Sequence, residues 1–185
     1  MDFIVQKSQI IKIGSLSIVA LLIFICYFLD VGFYESSTMS SSQTVYFTYT
    51  AKMRIEIMGT SITIDIEDCN GEYFCQVVKQ APIYGSIDLA IAIIIVLIEI
   101  LSLSVLKDKV KPDLLKNLVL IGLVLGLVFA LLLMFQFWFA AIGSDIYKLC
   151  AGSQICIVLY NLLFGFACFV QFKAKSGSGQ ETLLT

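Results

Sequence analysis

The sequence predicts an all-α membrane protein, a four-helix bundle that carries a small antiparallel β-sheet in its first outer loop. Hydrophobic residues make up 59% of the chain, and four apolar runs are each about long enough to cross a bilayer as a helix. Between the first two runs, apolar and polar residues alternate, which is typical of half-buried strands. The runs cover residues 13–29, 87–106, 118–139 and 155–172. Residues 1–185 therefore form one membrane domain, in which only segment 30–85 is long enough to fold outside the bilayer.

The first run also has features of a signal peptide, because the basic residues Lys7 and Lys12 stand before it. Its end, at residues 26–30, lacks the small-x-small pattern of a cleavage site. We therefore expect a retained span rather than a cleaved segment.

Lysines predict the orientation of the bundle. Lysines stand before the first run, between the second and third runs, and after the fourth run. In a four-pass topology all of these positions fall on one side of the membrane: Lys7, Lys12, Lys107, Lys109, Lys111, Lys116, Lys173 and Lys175. Because basic loops stay in the cytoplasm, we expect both termini there, with segments 30–85 and 143–153 outside. The plasma membrane is the expected location, and residues 173–185 are expected to form a flexible cytoplasmic tail.

Alternating residues in the outer segment predict a small sheet with one apolar and one charged face. Two or three antiparallel strands are expected, at residues 45–50, 52–57 and 62–67. The Ser/Thr-rich residues 36–44 precede them, and Met58 to Ser61 is the expected hairpin turn. Arg54 is expected opposite Asp65 or Glu67, where opposite charges would stabilise the pairing of the strands.

Two cysteines, Cys69 and Cys75, flank the turn dipeptide Asn70-Gly71 in the outer segment. Such a turn would bring them within disulfide range, and we expect the bond to form in an oxidising compartment. Free thiols are the alternative, in an intracellular organelle membrane. Cys26, Cys156 and Cys168 lie within the runs and are expected to be apolar packing residues. Cys150 is expected at the outer edge of the membrane, either free or paired. The chain has no histidine and no C-x-x-C pair, so neither a metal site nor a cofactor is predicted.

Glu99 is the carboxylate deepest within a predicted span. A carboxylate is costly in hydrocarbon, so Glu99 is either an ion or proton site or a neutral, hydrogen-bonded group. The expected hydrogen-bond partners in the second case are Ser15, Ser17, Asn161 or Gln136. The neutral group is favoured, because a transporter usually has several ionisable groups or broken helices. Both prolines, Pro82 and Pro112, are expected outside the spans.

Small residues predict where the helices approach closely. Gly122 and Gly126 form a G-x-x-x-G pair in the third run, and Gly165 gives the fourth run a similar small face. Aromatic residues at the outer end of the third run predict an interfacial belt, or alternatively a docking surface for a lipid or a protein: Phe135, Phe137, Trp138 and Phe139.

The order of these features resembles the superfamily of claudins, peripheral myelin proteins and channel gamma subunits. The resemblance rests on four spans, strands at 45–67, and the pair Cys69 and Cys75 shortly before the second span. It covers most of the chain and rests on topology. It implies a divergent claudin-like fold and a disulfide between these two cysteines.

Three classes of function follow. The first is a non-enzymatic protein that organises membrane contacts or adhesion, and the second is an auxiliary subunit of a channel-type complex. The third is a small transporter or ion-conducting protein that uses Glu99. The first two are favoured, with membrane lipids and other integral membrane proteins or further copies of the chain as partners. The net charge of −2 gives no indication of nucleic-acid binding. The predicted partner-binding surface consists of Glu56, Asp65, Glu67, Asp68, Phe137 and Trp138.

Overall fold

Four long helices dominate the computed structural model, which describes residues 2–38, 41–66, 72–104, 112–143 and 146–180. They are α1 (Asp2–Cys26), α2 (Tyr73–Ser104), α3 (Pro112–Ile142) and α4 (Ala151–Gln180). Each contains a stretch long and apolar enough to cross a membrane. The predicted combination of four apolar helices with a small antiparallel sheet is confirmed, and it indicates an integral membrane protein.

The helices form a bundle in which each packs against two neighbours. α1 contacts α2 and α4, and α3 contacts the same two helices from the other side. Large apolar side chains such as Leu16, Leu123 and Phe164 fill the centre. The outer surface is apolar too, with exposed residues such as Leu97 and Leu125. Helices that are apolar all round suit a lipid environment rather than water.

α2 is longer at its start than the sequence predicted, because it begins at Tyr73 and not near Ile87. The expectation that both prolines lie outside the spans is therefore wrong for Pro82, which lies inside α2. Proline has no N–H and therefore removes one hydrogen bond of the helix. The carbonyl oxygen of Pro82 accepts hydrogen bonds from two hydroxyls. Ser86 Oγ donates to it at 2.6 Å and Tyr27 OH at 3.2 Å. Pro112 is the first residue of α3, where proline is favoured.

Within the described residues, the sheet has five strands rather than the predicted two or three. They are β1 (Asp30–Thr38), β2 (Ser41–Thr48), β3 (Lys52–Ile57), β4 (Thr60–Asp65) and β5 (Lys148–Leu149). Their order is β4-β3-β2-β1-β5, and all pairs are antiparallel. The Ser/Thr-rich residues, which precede the predicted strands, belong partly to β1 and β2, whose ends pair at Thr38 and Ser41.

The hairpin between β3 and β4 turns at Met58-Gly59, within the predicted segment. Both residues have positive φ angles, 46° and 83°, which suits a two-residue hairpin turn. The predicted partner of Arg54 is wrong, because the register places Thr63 opposite it and Asp65 opposite Lys52.

One face of the sheet packs on the ends of the helices. Val45 and Phe47 of β2 are buried on this face, and the Phe47 ring meets the Phe74 ring of α2 edge-on at 5.4 Å. Gly32 of β1 lies so close that a Cβ there would meet Phe74 at 2.5 Å. We call this end of the bundle the sheet end and the opposite end the far end.

Several predicted features lie outside the described residues. They are Glu67, Asp68, Cys69, Asn70, Gly71, the loop lysines Lys107, Lys109 and Lys111, and residues 181–185. The disulfide between Cys69 and Cys75 therefore stays a prediction. The rest of the predicted flexible tail, residues 173–180, belongs to helix α4.

Candidate functional site

An ion pair lies inside the bundle towards the far end. Lys12 of α1 donates a hydrogen bond to Glu99 Oε1 of α2, and each residue is only 3% exposed. Lys12 also donates to Gln171 Oε1 of α4. The sequence had assigned Lys12 to the cytoplasmic flank of the first span, which is wrong because it lies well within α1. The partners expected for Glu99, among them Ser15 and Asn161, are likewise replaced by Lys12.

Further hydrogen bonds extend this arrangement to all four helices. Gln171 Nε2 donates to the carbonyl oxygen of Lys116 in α3 at 2.8 Å. Ser102 Oγ donates to the carbonyl oxygen of Glu99 and accepts from Gln9 Nε2, both at 2.8 Å. We call Lys12, Glu99 and Gln171 the far-end polar site.

A cavity of about 40 Å³ adjoins the far-end polar site. Lys12, Glu99 and Lys116 line it together with polar residues such as Gln9, and it has room for about three water molecules. Because the Lys12 ammonium already neutralises Glu99, the carboxylate needs neither a bound cation nor a proton. The geometry therefore fits an ion pair that holds helices together better than a pathway for ions.

The carboxylates predicted to bind a partner are engaged within the sheet. Asp65 lies 3.5 Å from Lys52, and Glu56 lies 3.5 Å from Arg54 Nε. Arg54 makes a closer pair with Asp30 at 2.7 Å. Burial raises the pKa of Asp30, and Arg54 opposes that shift. The exposed pairs with Lys52 and Glu56 are weak in water, so both carboxylates stay accessible to a partner.

The apolar face of the sheet is covered only in part. Its covered portion includes β2 and the partly buried Met53 and Ile55 of β3, whereas β4 is exposed along its whole length. Ile62 is 58% exposed and Met58, at the turn, is 79% exposed. Within the described residues, β4 pairs only with β3 and leaves its other edge open. Sequence reasoning expected a carboxylate surface here and missed these apolar side chains.

The aromatic residues at the end of α3 divide between two environments. Phe137 is fully buried and packs against Phe74 at 6.4 Å, so its predicted role at the membrane edge is wrong. Helical periodicity turns Phe137 inward while Phe135, Trp138 and Phe139 point outward. Trp138 Nε1 donates to Gln154 Oε1 at 3.1 Å.

The three glycines predicted to mediate helix packing differ. A Cβ on Gly126 would meet the Phe164 ring at 2.7 Å, and one on Gly122 would meet Ile95 at 3.2 Å. These two positions are close contacts of α3 with α4 and α2. A Cβ on Gly165 would meet nothing within 4 Å, so Gly165 faces away from its neighbours and its predicted packing role is wrong.

A second polar group lies at the sheet end and was not predicted. Tyr49 follows β2, Asp88 belongs to α2 and Tyr160 to α4, and all three are fully buried. Sequence reasoning missed Asp88 because it stands at the start of the predicted second run. Its position 11 residues before Glu99 (99 − 88), on the same apolar helix, was the available signal. We call these three residues the sheet-end polar cluster.

The fold and sites define a helical membrane protein with four spans and a sheet at one end. No protein-family model matches the chain, and no curated protein sequence is similar to it. Within residues that the structure describes, no group of three or more His, Cys, Asp or Glu side chains is arranged to hold a metal ion.

Proposed function

We propose that this chain is a non-enzymatic, claudin-like membrane protein that organises membrane contacts or assists a larger membrane complex. In this proposal the sheet faces the outside of the cell and binds another integral membrane protein or a second copy of the chain. The observation that carries the proposal is the open β4 edge with its exposed apolar side chains, among them Ile62 and Met58.

Open strand edges and exposed apolar patches are both liabilities in a protein that acts alone. An edge offers unpaired backbone groups to another strand, and natural sheets usually protect it with charges or proline. β4 has one charged residue, Asp65, at its end, and its remaining residues are Thr60-Ser61-Ile62-Thr63-Ile64. A partner that adds a strand here would gain backbone hydrogen bonds and apolar contact together.

The carboxylates contribute a second component of recognition. Glu56 of β3 and Asp65 of β4 lie on the charged face of the same hairpin, opposite the face of Ile62 and Ile64. Their weak ion pairs with Arg54 and Lys52 are readily exchanged for pairs with a basic group on a partner. Such charge complementarity raises the rate of association more than the affinity. Transport through Glu99 is the less favoured function, because Lys12 already occupies the carboxylate.

The test compares two faces of one strand. Ile62→Lys places a charge on the apolar face of β4, and Thr63→Lys places the same charge on the opposite face. The full chain is purified in mild detergent and the mass of its complexes is measured by native mass spectrometry. We expect Ile62→Lys to dissociate the complex and Thr63→Lys to retain it. If Ile62→Lys retains the complex, or if the wild-type protein is a monomer without a partner, the proposal is wrong.

A further inference from the structure

Within the described residues, the sheet-end polar cluster leaves both carboxylate oxygens of Asp88 without a hydrogen bond. The hydroxyls of Tyr49 and Tyr160 interact with each other but have no hydrogen-bond partner of standard geometry. Buried polar atoms are nearly always paired, and a buried unpaired carboxylate is the most costly case. Among the described residues, no ion pair includes Asp88. The cluster therefore contrasts with the far-end polar site, where Lys12 neutralises Glu99.

The three side chains converge from separate parts of the fold. The Tyr49 side chain enters the bundle over Gly85 of α2, where a Cβ would lie 2.4 Å from its hydroxyl oxygen. Asp88 is one helical turn further along the same face of α2. Burial raises the pKa of the Tyr49 hydroxyl, and the nearby side chains of Cys26, Tyr27 and Asp88 contribute to that shift.

We propose that the oxygens of Tyr49, Asp88 and Tyr160 bind a monovalent metal cation at the sheet end of the bundle. The donor atoms are all oxygens, which hard cations prefer to nitrogen and sulfur ligands. One carboxylate balances one positive charge and leaves the site neutral, whereas a divalent cation would leave an excess charge in a low-dielectric interior. The inference does not depend on the proposed function.

The bound cation would hold the sheet against the bundle. Tyr49 is the first residue after β2, and its backbone N–H donates to the Leu29 carbonyl oxygen at 3.1 Å. Its hydroxyl would then bind the same cation as Asp88 of α2 and Tyr160 of α4. Removing the cation leaves the Asp88 charge uncompensated. The stability of the folded protein should therefore rise with cation concentration, as it does for any ligand that binds only the native state.

The test uses Na⁺ as the probe and the full chain in lipid nanodiscs. Thermal unfolding is followed while NaCl replaces choline chloride at constant ionic strength. We expect the unfolding temperature of the wild-type protein to rise with Na⁺ and then saturate. Asp88→Asn should abolish the response, because the amide carries no charge. Glu35→Gln is the matched control, since it removes an exposed carboxylate of β1 and should keep the full response.

Tyr160→Phe provides a second variant that keeps the shape of the core. It removes one neutral oxygen ligand and should raise the half-saturating Na⁺ concentration about fivefold, a result that does not require Asp88→Asn to fold. Equal unfolding temperatures in Na⁺ and choline, or an unchanged response in Asp88→Asn, would overturn the site. A response to pH but not to Na⁺ would assign a proton to Asp88 and would also overturn it.

Discussion

Lys12 and Glu99 face each other across α1 and α2 as a buried ion pair. A buried pair adds little net stability, because each charge is desolvated, but the loss of one partner leaves an uncompensated charge. Three consequences can be measured, one for each single change and one for the double change.

Glu99→Gln and Lys12→Met should each lower the free energy of unfolding by about 3–5 kcal/mol. The double change Lys12→Met with Glu99→Leu removes both charges and should restore most of that loss. Unfolding in detergent by a chemical denaturant measures all three. Lys116→Met is the control, because Lys116 lines the same cavity but its side chain is half-buried. A Glu99→Gln protein as stable as wild type would mean that the carboxyl group is neutral.

Cys69→Ser and Cys75→Ser should lower surface expression to the same extent if the two residues form a disulfide. Loss of such a bond in a small domain costs about 2–5 kcal/mol, and the double variant should be no worse than either single one. Thiol labelling of the unreduced native protein provides the second measurement. Additive losses in the double variant, or labelling of both thiols, would argue for free cysteines.

Gly126→Ala should destabilise the bundle, because the new methyl group would overlap the Phe164 ring. Overpacking of this kind costs about 1–3 kcal/mol. Gly165→Ala is the matched control on α4, where the methyl group meets nothing and alanine favours the helix by roughly 1 kcal/mol. Thermal unfolding in the same detergent should therefore shift in opposite directions. A similar loss from both changes would place Gly165 in a contact.

Cys150 should react slowly with maleimide at neutral pH. Burial, with a smaller contribution from Asp30, raises the pKa of its thiol from 9.0 to about 11. Because the thiolate is the reactive form, labelling at pH 8 should be about 100-fold slower in the folded protein than in the denatured one. The rate should keep rising between pH 9 and pH 11. Quantitative peptide mapping measures it, and equal rates in both states would contradict the burial of the thiol.

The β3–β4 hairpin could be predicted from the sequence because its signals are local. Alternation of apolar and polar residues and the glycine at Gly59 determine it within a few positions. β1 could not be predicted in the same way, since its Ser/Thr-rich end becomes a strand only by pairing with β2. β5 has two residues, too few for any pattern to be visible.

The partner of Glu99 could not be predicted, because it is 87 residues away in sequence. Lys12 follows Lys7 at the start of a span, where position alone favours an exposed lysine. The face that it occupies depends on how α1 packs against α2 and α4. The burial of Phe137 could not be predicted for a similar reason, since the rotation of α3 about its axis decides which residue of the aromatic run is buried.

The Lys12–Glu99 pair also bears on how the chain enters the bilayer during synthesis. A charged side chain within a membrane helix costs up to about 2.5–3.5 kcal/mol at insertion, and Lys12 adds such a cost to α1 as Glu99 does to α2. Entering one after the other, each helix would meet that cost alone. Entering as a hairpin, with the sheet segment between them, the two helices cancel their charges before either is surrounded by lipid. We therefore expect α1 to stay beside the translocation machinery until α2 has been made.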